Sequence, residues 1–164
     1  MKVVATKQML IEALLNEPLM NFQHGMWASD ERGTSSPDNE TCHVCAVGSF
    51  IRSKVATNSK VATISRMAVT ATMHDSIAHQ PTVEDAYRIA AHMAKNGLVL
   101  NAVSILFETE CETVWRKNPR HLRDEMPKII ERLIRFVEVN SPEQFVFKVA
   151  EGCEQSVDPS LTVV

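Results

Sequence analysis

The chain has 164 residues, a formal net charge of −3, 45% hydrophobic residues and 23% charged residues. That length can bury a substantial core in one domain, and the charge gives no global case for nucleic acid or a membrane surface. Five Gly are too few for the tight turns of an all-β fold, and eight Met with few aromatics predict an aliphatic, adaptable core.

Met1–Ala5 lacks the apolar stretch of a signal peptide, and no run approaches a membrane span. Thr6 is placed to cap a first helix, with Met9, Leu10, Ala13 and Leu14 as its buried stripe and Pro18 as its stop. Residues 22–28 mix aromatic and polar side chains and read as a short strand, a hairpin or an ordered loop. Residues 29–41 are rich in Asp, Ser, Gly, Pro and Asn and read as a mobile surface loop.

A second helix is expected from about 43 to 57. Val44, Cys45, Val47, Phe50 and Ile51 make it apolar nearly all round, which predicts burial. Ala46, Gly48 and Ser49 would let a neighbour approach closely. Ser59 is the expected cap of a third helix bearing Val61, Ile64, Met67, Ala68 and Ala71. Thr82-Val83-Glu84-Asp85 combines a cap with first-turn acids and opens a fourth helix, which Gly97 ends in a left-handed conformation.

Leu98–Phe107 is the longest apolar run and predicts a second core helix. It passes into Glu108-Thr109-Glu110-Cys111-Glu112, whose alternation does not put all three acids on one helix face. Trp115 and a basic connector over 116–120 follow. The next helix sets Leu122, Met126, Ile129, Ile130, Leu133 and Val137 against a basic face, and Pro127 must start or kink it. Ser141-Pro142-Glu143 reads as another helix start, with Phe145, Val146, Val149, Ala150 and Cys153 at helical offsets. Residues 154–164 read as a tail. The expected fold is mainly α: a single compact helical domain of about six helices over 1–153, centred on the helices near 43–57 and 98–110.

Chemistry concentrates at Cys42-x-x-Cys45. Two thiolates at this spacing can grip zinc, but a closed structural site needs four ligands and no second pair at matching spacing exists. His24, His43, His74, Cys111 and Cys153 could contribute the others, and spacing selects none of them. A helix N-terminus also favours a thiolate, so Cys42 is the better nucleophile candidate, with His24 or His43 available as a base and no partner singled out. Cys45, one turn into an apolar helix, is expected to be inert. Against both stands plain packing of two small side chains beside Gly48. Four Cys in 164 residues do not make a disulfide framework, which suggests a reducing cytoplasm.

His24-Gly25-Met26-Trp27 is the second unusual cluster, and a pocket shared with Cys42 would make it functional. The basic residues Arg116, Lys117, Arg120, Arg123, Lys128, Arg132 and Arg135 are interrupted by Asp124, Glu125 and Glu131. That pattern suits a solvated face laced with ion pairs, and no phosphate loop or DNA-reading motif accompanies it.

His24-Gly25-x-Trp27, followed by Cys42-His43-Val44-Cys45-Ala46-Val47-Gly48, resembles a group of small, uncharacterised phage and bacterial proteins with the pattern H-G-x-W … C-x-V-C-x-A-G-A. Residues 24–51 carry the resemblance, and Val47 and Ser49 depart from it. It implies a phage origin and brings no activity, cofactor or catalytic residue.

The expected function is that of a small cytoplasmic protein-binding or regulatory protein, in a host cytoplasm if phage-encoded. Its binding candidates are Trp27, His24, Arg116, Arg120 and Arg123. Its partner would be a protein, with neither nucleic acid nor membrane, and a homo-oligomer stays open. No complete catalytic set is visible and no cofactor is expected. The rival class is a zinc-binding or cysteine-dependent redox or hydrolytic protein using Cys42, Cys45 and His24.

Overall fold

The computed structural model describes residues 1–25, 28, 29, 43–72 and 81–164. Expectations at Trp27, Cys42 and His74, and for the 29–41 loop beyond Ser29, lie outside the described residues.

Val3 and Ala5 alternate with Lys2 and Val4, so the chain opens as a strand, β1 (Lys2–Thr6), where no element was expected. Thr6 ends the strand and caps α1 (Lys7–Asn16), its side chain accepting from the Met9 N–H at 3.1 Å. Leu10, Ile11, Ala13 and Leu14 turn inward from α1. Phe22 bridges to Val44, and the short strands β2 (Ala28–Ser29) and β3 (His43–Val44) pair antiparallel. His43 is therefore a strand residue, and the second helix begins later than expected. It comprises α2 (Ala46–Phe50) and a π-helical turn at Ile51–Val55. Every residue from Val44 to Ile51 is buried.

Helix α3 (Val61–Ala71) buries the five residues expected of it, but Lys60 rather than Ser59 stands at its N-cap. Helix α4 (Val83–Lys95) starts as anticipated, with Thr82 accepting from the Asp85 N–H at 3.1 Å. Gly97 has φ +86, the left-handed conformation that closes such a helix without a Cβ penalty. Ala86, Ala90 and Ala94 form a small-residue stripe that lets α4 lie close against α5 (Val99–Lys117). Helix α5 also packs on α2 and on α6 (Leu122–Asn140), and all its residues from Val99 to Cys111 except Ser104 and Glu108 are buried. Pro127 lies inside α6, near its start.

The largest departure follows Ser141. Instead of a helix, Gln144–Lys148 forms the strand β4, and Thr162–Val163 forms β5; both pair antiparallel with β1, in the order β4-β1-β5. The apolar run 145–147 fits both periods, and pairing decides between them. Phe145 and Phe147 point inward beside Val3 and Ala5, while Gln144, Val146 and Lys148 point out. Residues 154–164 are no free tail. Val157 is buried, the Asp158 N–H donates to the Val55 carbonyl at 2.7 Å, and β5 completes the sheet. Among the described residues the result is mainly α, with six helices around one main apolar core and a three-stranded sheet along its flank. Among the described residues, no helix is long and apolar enough to cross a membrane.

Candidate functional site

Cys45 stands at the N-cap of α2, and its sulfur accepts from the Gly48 N–H at 3.3 Å. It is 2% exposed, and burial pushes its thiol up to about 12. A thiol so placed stays protonated at neutral pH and does not attack. Cys111 is fully buried; burial, then the neighbouring Glu108 and Glu110 carboxylates, hold its thiol well above the usual range. Among the described residues, no three His, Cys, Asp or Glu cluster in a way that could hold a metal ion.

His24 sits above this interior. The Gln23 N–H donates to the Val44 carbonyl at 2.8 Å, tying its loop to β3 directly before Cys45. From there the His24 Nε2 lies 3.2 Å from Glu112 Oε2, and its ring stacks obliquely on Trp115 with centroids 5.3 Å apart. Its Nδ1 is buried and has no partner among the described residues. Gly25, at φ +82, turns the chain so that its N–H donates to Glu108 Oε2 at 2.8 Å. Glu108 and Glu112 are one helical turn apart on α5 and together receive the His24–Gly25 corner. Glu110 points elsewhere, to Tyr87 and Arg132, so the acidic trio divides between two faces.

Glu108 is raised from the usual 4.5 to about 7, first by burial, with the Gly25 N–H opposing and the nearby Glu112 carboxylate adding. An acid raised on folding favours the native state when protonated. Its contribution is fully present below about 4.5 and is lost as the pH rises to about 7. The loss is at most about 3 kcal/mol. Glu108→Gln keeps an acceptor for Gly25 and cannot ionise. It is expected to match the wild type near pH 4.5 and to exceed it in urea stability by about 1–3 kcal/mol near pH 8. Parallel stability curves over that range would contradict the assignment.

Beside this corner lies a surface groove of about 470 Å³. Leu19, Met20 and Trp115 contribute apolar surface and are 43%, 66% and 45% exposed. His24, Arg120 and Arg123 line it as well. Arg120 sits on a 3-10 turn, Pro119–His121, which Asn118 caps by accepting from the Arg120 N–H at 3.1 Å. The turn runs directly into α6, which carries Arg123. Neither guanidinium has an ion-pair partner among the described residues. Arg116 is paired instead with Glu112, at 3.2 Å. Lys128 and Arg135 pair along α6 with Glu125 and Glu131, which are exposed contacts of small energetic weight.

Of the residues singled out by sequence, His24, Arg120 and Arg123 thus share one groove; Arg116 does not line it and pairs with Glu112, the acid that also meets His24. Cys45 is sealed inside; Trp27 and Cys42 lie outside the described residues. Leu19, Met20, Trp115, Glu108 and Glu112 are site residues that sequence reasoning misses. The spacing Glu108, Glu112, Trp115 was a usable signal, because it puts two acids and a large ring on one helix face. Comparison with protein-family models, curated proteins and solved structures finds no match.

Proposed function

We propose that this protein works by binding another protein, whose segment lays an apolar side chain against Trp115 and an acidic group against Arg120 and Arg123. One observation carries the proposal: three exposed apolar side chains border two guanidiniums that no described residue neutralises. Trp, Met and Arg are the residues that interfaces favour, and burying a pre-formed apolar patch supplies most of their free energy. The chain is acidic overall, so this basic groove stands against its mean and selects acidic partners by charge. A reducing cytoplasm, the host's if the chain is phage-encoded, belongs to the same proposal and rests on the sparse cysteines and the resemblance over 24–51.

Selection of displayed random 12-residue peptides on the full chain tests it. The expected winners pair Asp or Glu with Leu, Phe or Trp, and lose about tenfold or more in affinity on Arg120→Glu/Arg123→Glu. Both arginines are exposed, so the fold should persist. Failure to enrich, or winners indifferent to the double substitution, would contradict the groove.

One observation favours an alternative, a cysteine-dependent activity. Glu112 holds His24 through Nε2, as a carboxylate orients a general base, and leaves Nδ1 for a second partner. Such an activity would need Cys42, outside the described residues, at that nitrogen. Zinc belongs with the same alternative: one zinc per chain that vanishes on Cys42→Ser would favour it over the groove.

A further inference from the structure

The sheet ends in an open edge. In the β1–β4 ladder, the Lys7 N–H donates to the Glu143 carbonyl and the Val149 N–H to the Met1 carbonyl. With the register Val3↔Phe147 and Ala5↔Phe145, antiparallel alternation makes these the hydrogen-bonded pairs. The N–H and C=O of Gln144, Val146 and Lys148 therefore point away from β1. Among the described residues no main-chain group meets them.

A groove of about 450 Å³ runs along this edge, with β4 as one wall and the chain from Asn96 to Asn101 and Ala71 as the other. Val146 and Leu98 expose apolar surface to it, at 44% and 37%. Lys2 and Lys148 stand directly opposite each other in a non-hydrogen-bonded pair, where side chains are closest, and neither has an ion-pair partner among the described residues. Like charges so placed repel, and an anion between them relieves the repulsion.

We infer that the open edge of β4 takes an extended, acidic peptide segment of a partner protein by strand addition. The edge supplies main-chain bonds, Val146 and Leu98 a place for an alternate apolar side chain, and the Lys2–Lys148 pair the preference for Asp or Glu. A second copy of this chain is the poorer occupant, because it would bring another Lys2–Lys148 pair to the same edge. The site is separate from the Trp115 groove and does not rest on it.

The test uses the full chain carrying Trp115→Ala, Arg120→Glu and Arg123→Glu, so that the first groove cannot contribute. Displayed random octapeptides are selected on it and then assayed on the same chain with Val146→Pro. Proline removes one edge N–H, leaves the β1 ladder bonds intact, and is tolerated on an edge strand. The expected winners are acidic with alternating apolar residues, and lose at least about tenfold in affinity on Val146→Pro. N-methylation of successive peptide amides, assayed on the wild-type chain, should abolish binding at every second position only, a pattern peculiar to strand addition. No enrichment, winners blind to Val146→Pro with no alternation on N-methylation, or self-association of the wild type that Val146→Pro abolishes would overturn the inference.

Discussion

Arg132→Met is expected to cost about 3–5 kcal/mol of stability, although Arg132 is 43% exposed and does not line the proposed groove. Its partner is the reason. The Glu110 carboxylate is only 6% exposed. It accepts from Arg132 Nε at 2.9 and 3.0 Å, from Arg132 Nη2 at 2.8 Å and from the Tyr87 hydroxyl at 3.0 Å. One acid thus ties α4, α5 and α6 together. Burial, with Glu110 beside it, keeps the Tyr87 hydroxyl protonated well beyond its ordinary range, so it remains a donor. Without Arg132 the carboxylate stays buried with one neutral donor, which is the expensive half of breaking such a pair. Glu110→Gln is the milder change, at about 1–2 kcal/mol, because the exposed end of Arg132 can turn to water. Arg132→Lys keeps a charge but loses the fork, and falls between the two. Urea midpoints of the three variants check this ordering. Equal costs for Arg132→Met and Glu110→Gln would contradict it.

Phe50→Ala should be equally damaging, at about 3–5 kcal/mol. Phe50 is fully buried in α2, and its ring lies 6.1 Å from Phe145 and 5.8 Å from Phe147, tilted against the first and edge-on to the second. It is one link through which the helical interior meets the sheet. Truncation removes both ring contacts and opens a cavity between elements that cannot easily close on it. Phe50→Leu keeps most of the volume and should cost about 1–2 kcal/mol. The sheet should also loosen: amide exchange at Val3 and Phe147 in Phe50→Ala should accelerate toward the global unfolding rate. A small loss confined to α2 would mean that the sheet does not lean on this ring.

What could be read from sequence was local. Thr6, Thr82 and Gly97 announce helix ends through their own side chains or backbone freedom, and each appears where expected. The long apolar periods of α5 and α6 did the same for the interior. The sheet was illegible because its strands come from residues 2–6, 144–148 and 162–163, each too short to show a period alone. Phe145-Val146-Phe147 is apolar at every position, so only the partner strand at Val3–Ala5 tells inward from outward. The site shows the same division. Residue type drew attention to His24, Arg120 and Arg123. Their companions Glu112 and Trp115 are about ninety positions from His24, and pairings at that range leave no mark in a single sequence.

Cys45 is interior structure, and the proposed function is carried by the exposed groove. The most direct measurement is native-state thiol labelling by a small alkylating reagent after chelation, in Cys42→Ser protein, read peptide by peptide by mass spectrometry. Cys45, Cys111 and Cys153 should all remain unlabelled until urea unfolds the chain, and then react together. Rapid labelling of Cys45 in folded protein at neutral pH would show a reachable, ionised sulfur at the head of α2, and the cysteine chemistry would take the groove's place.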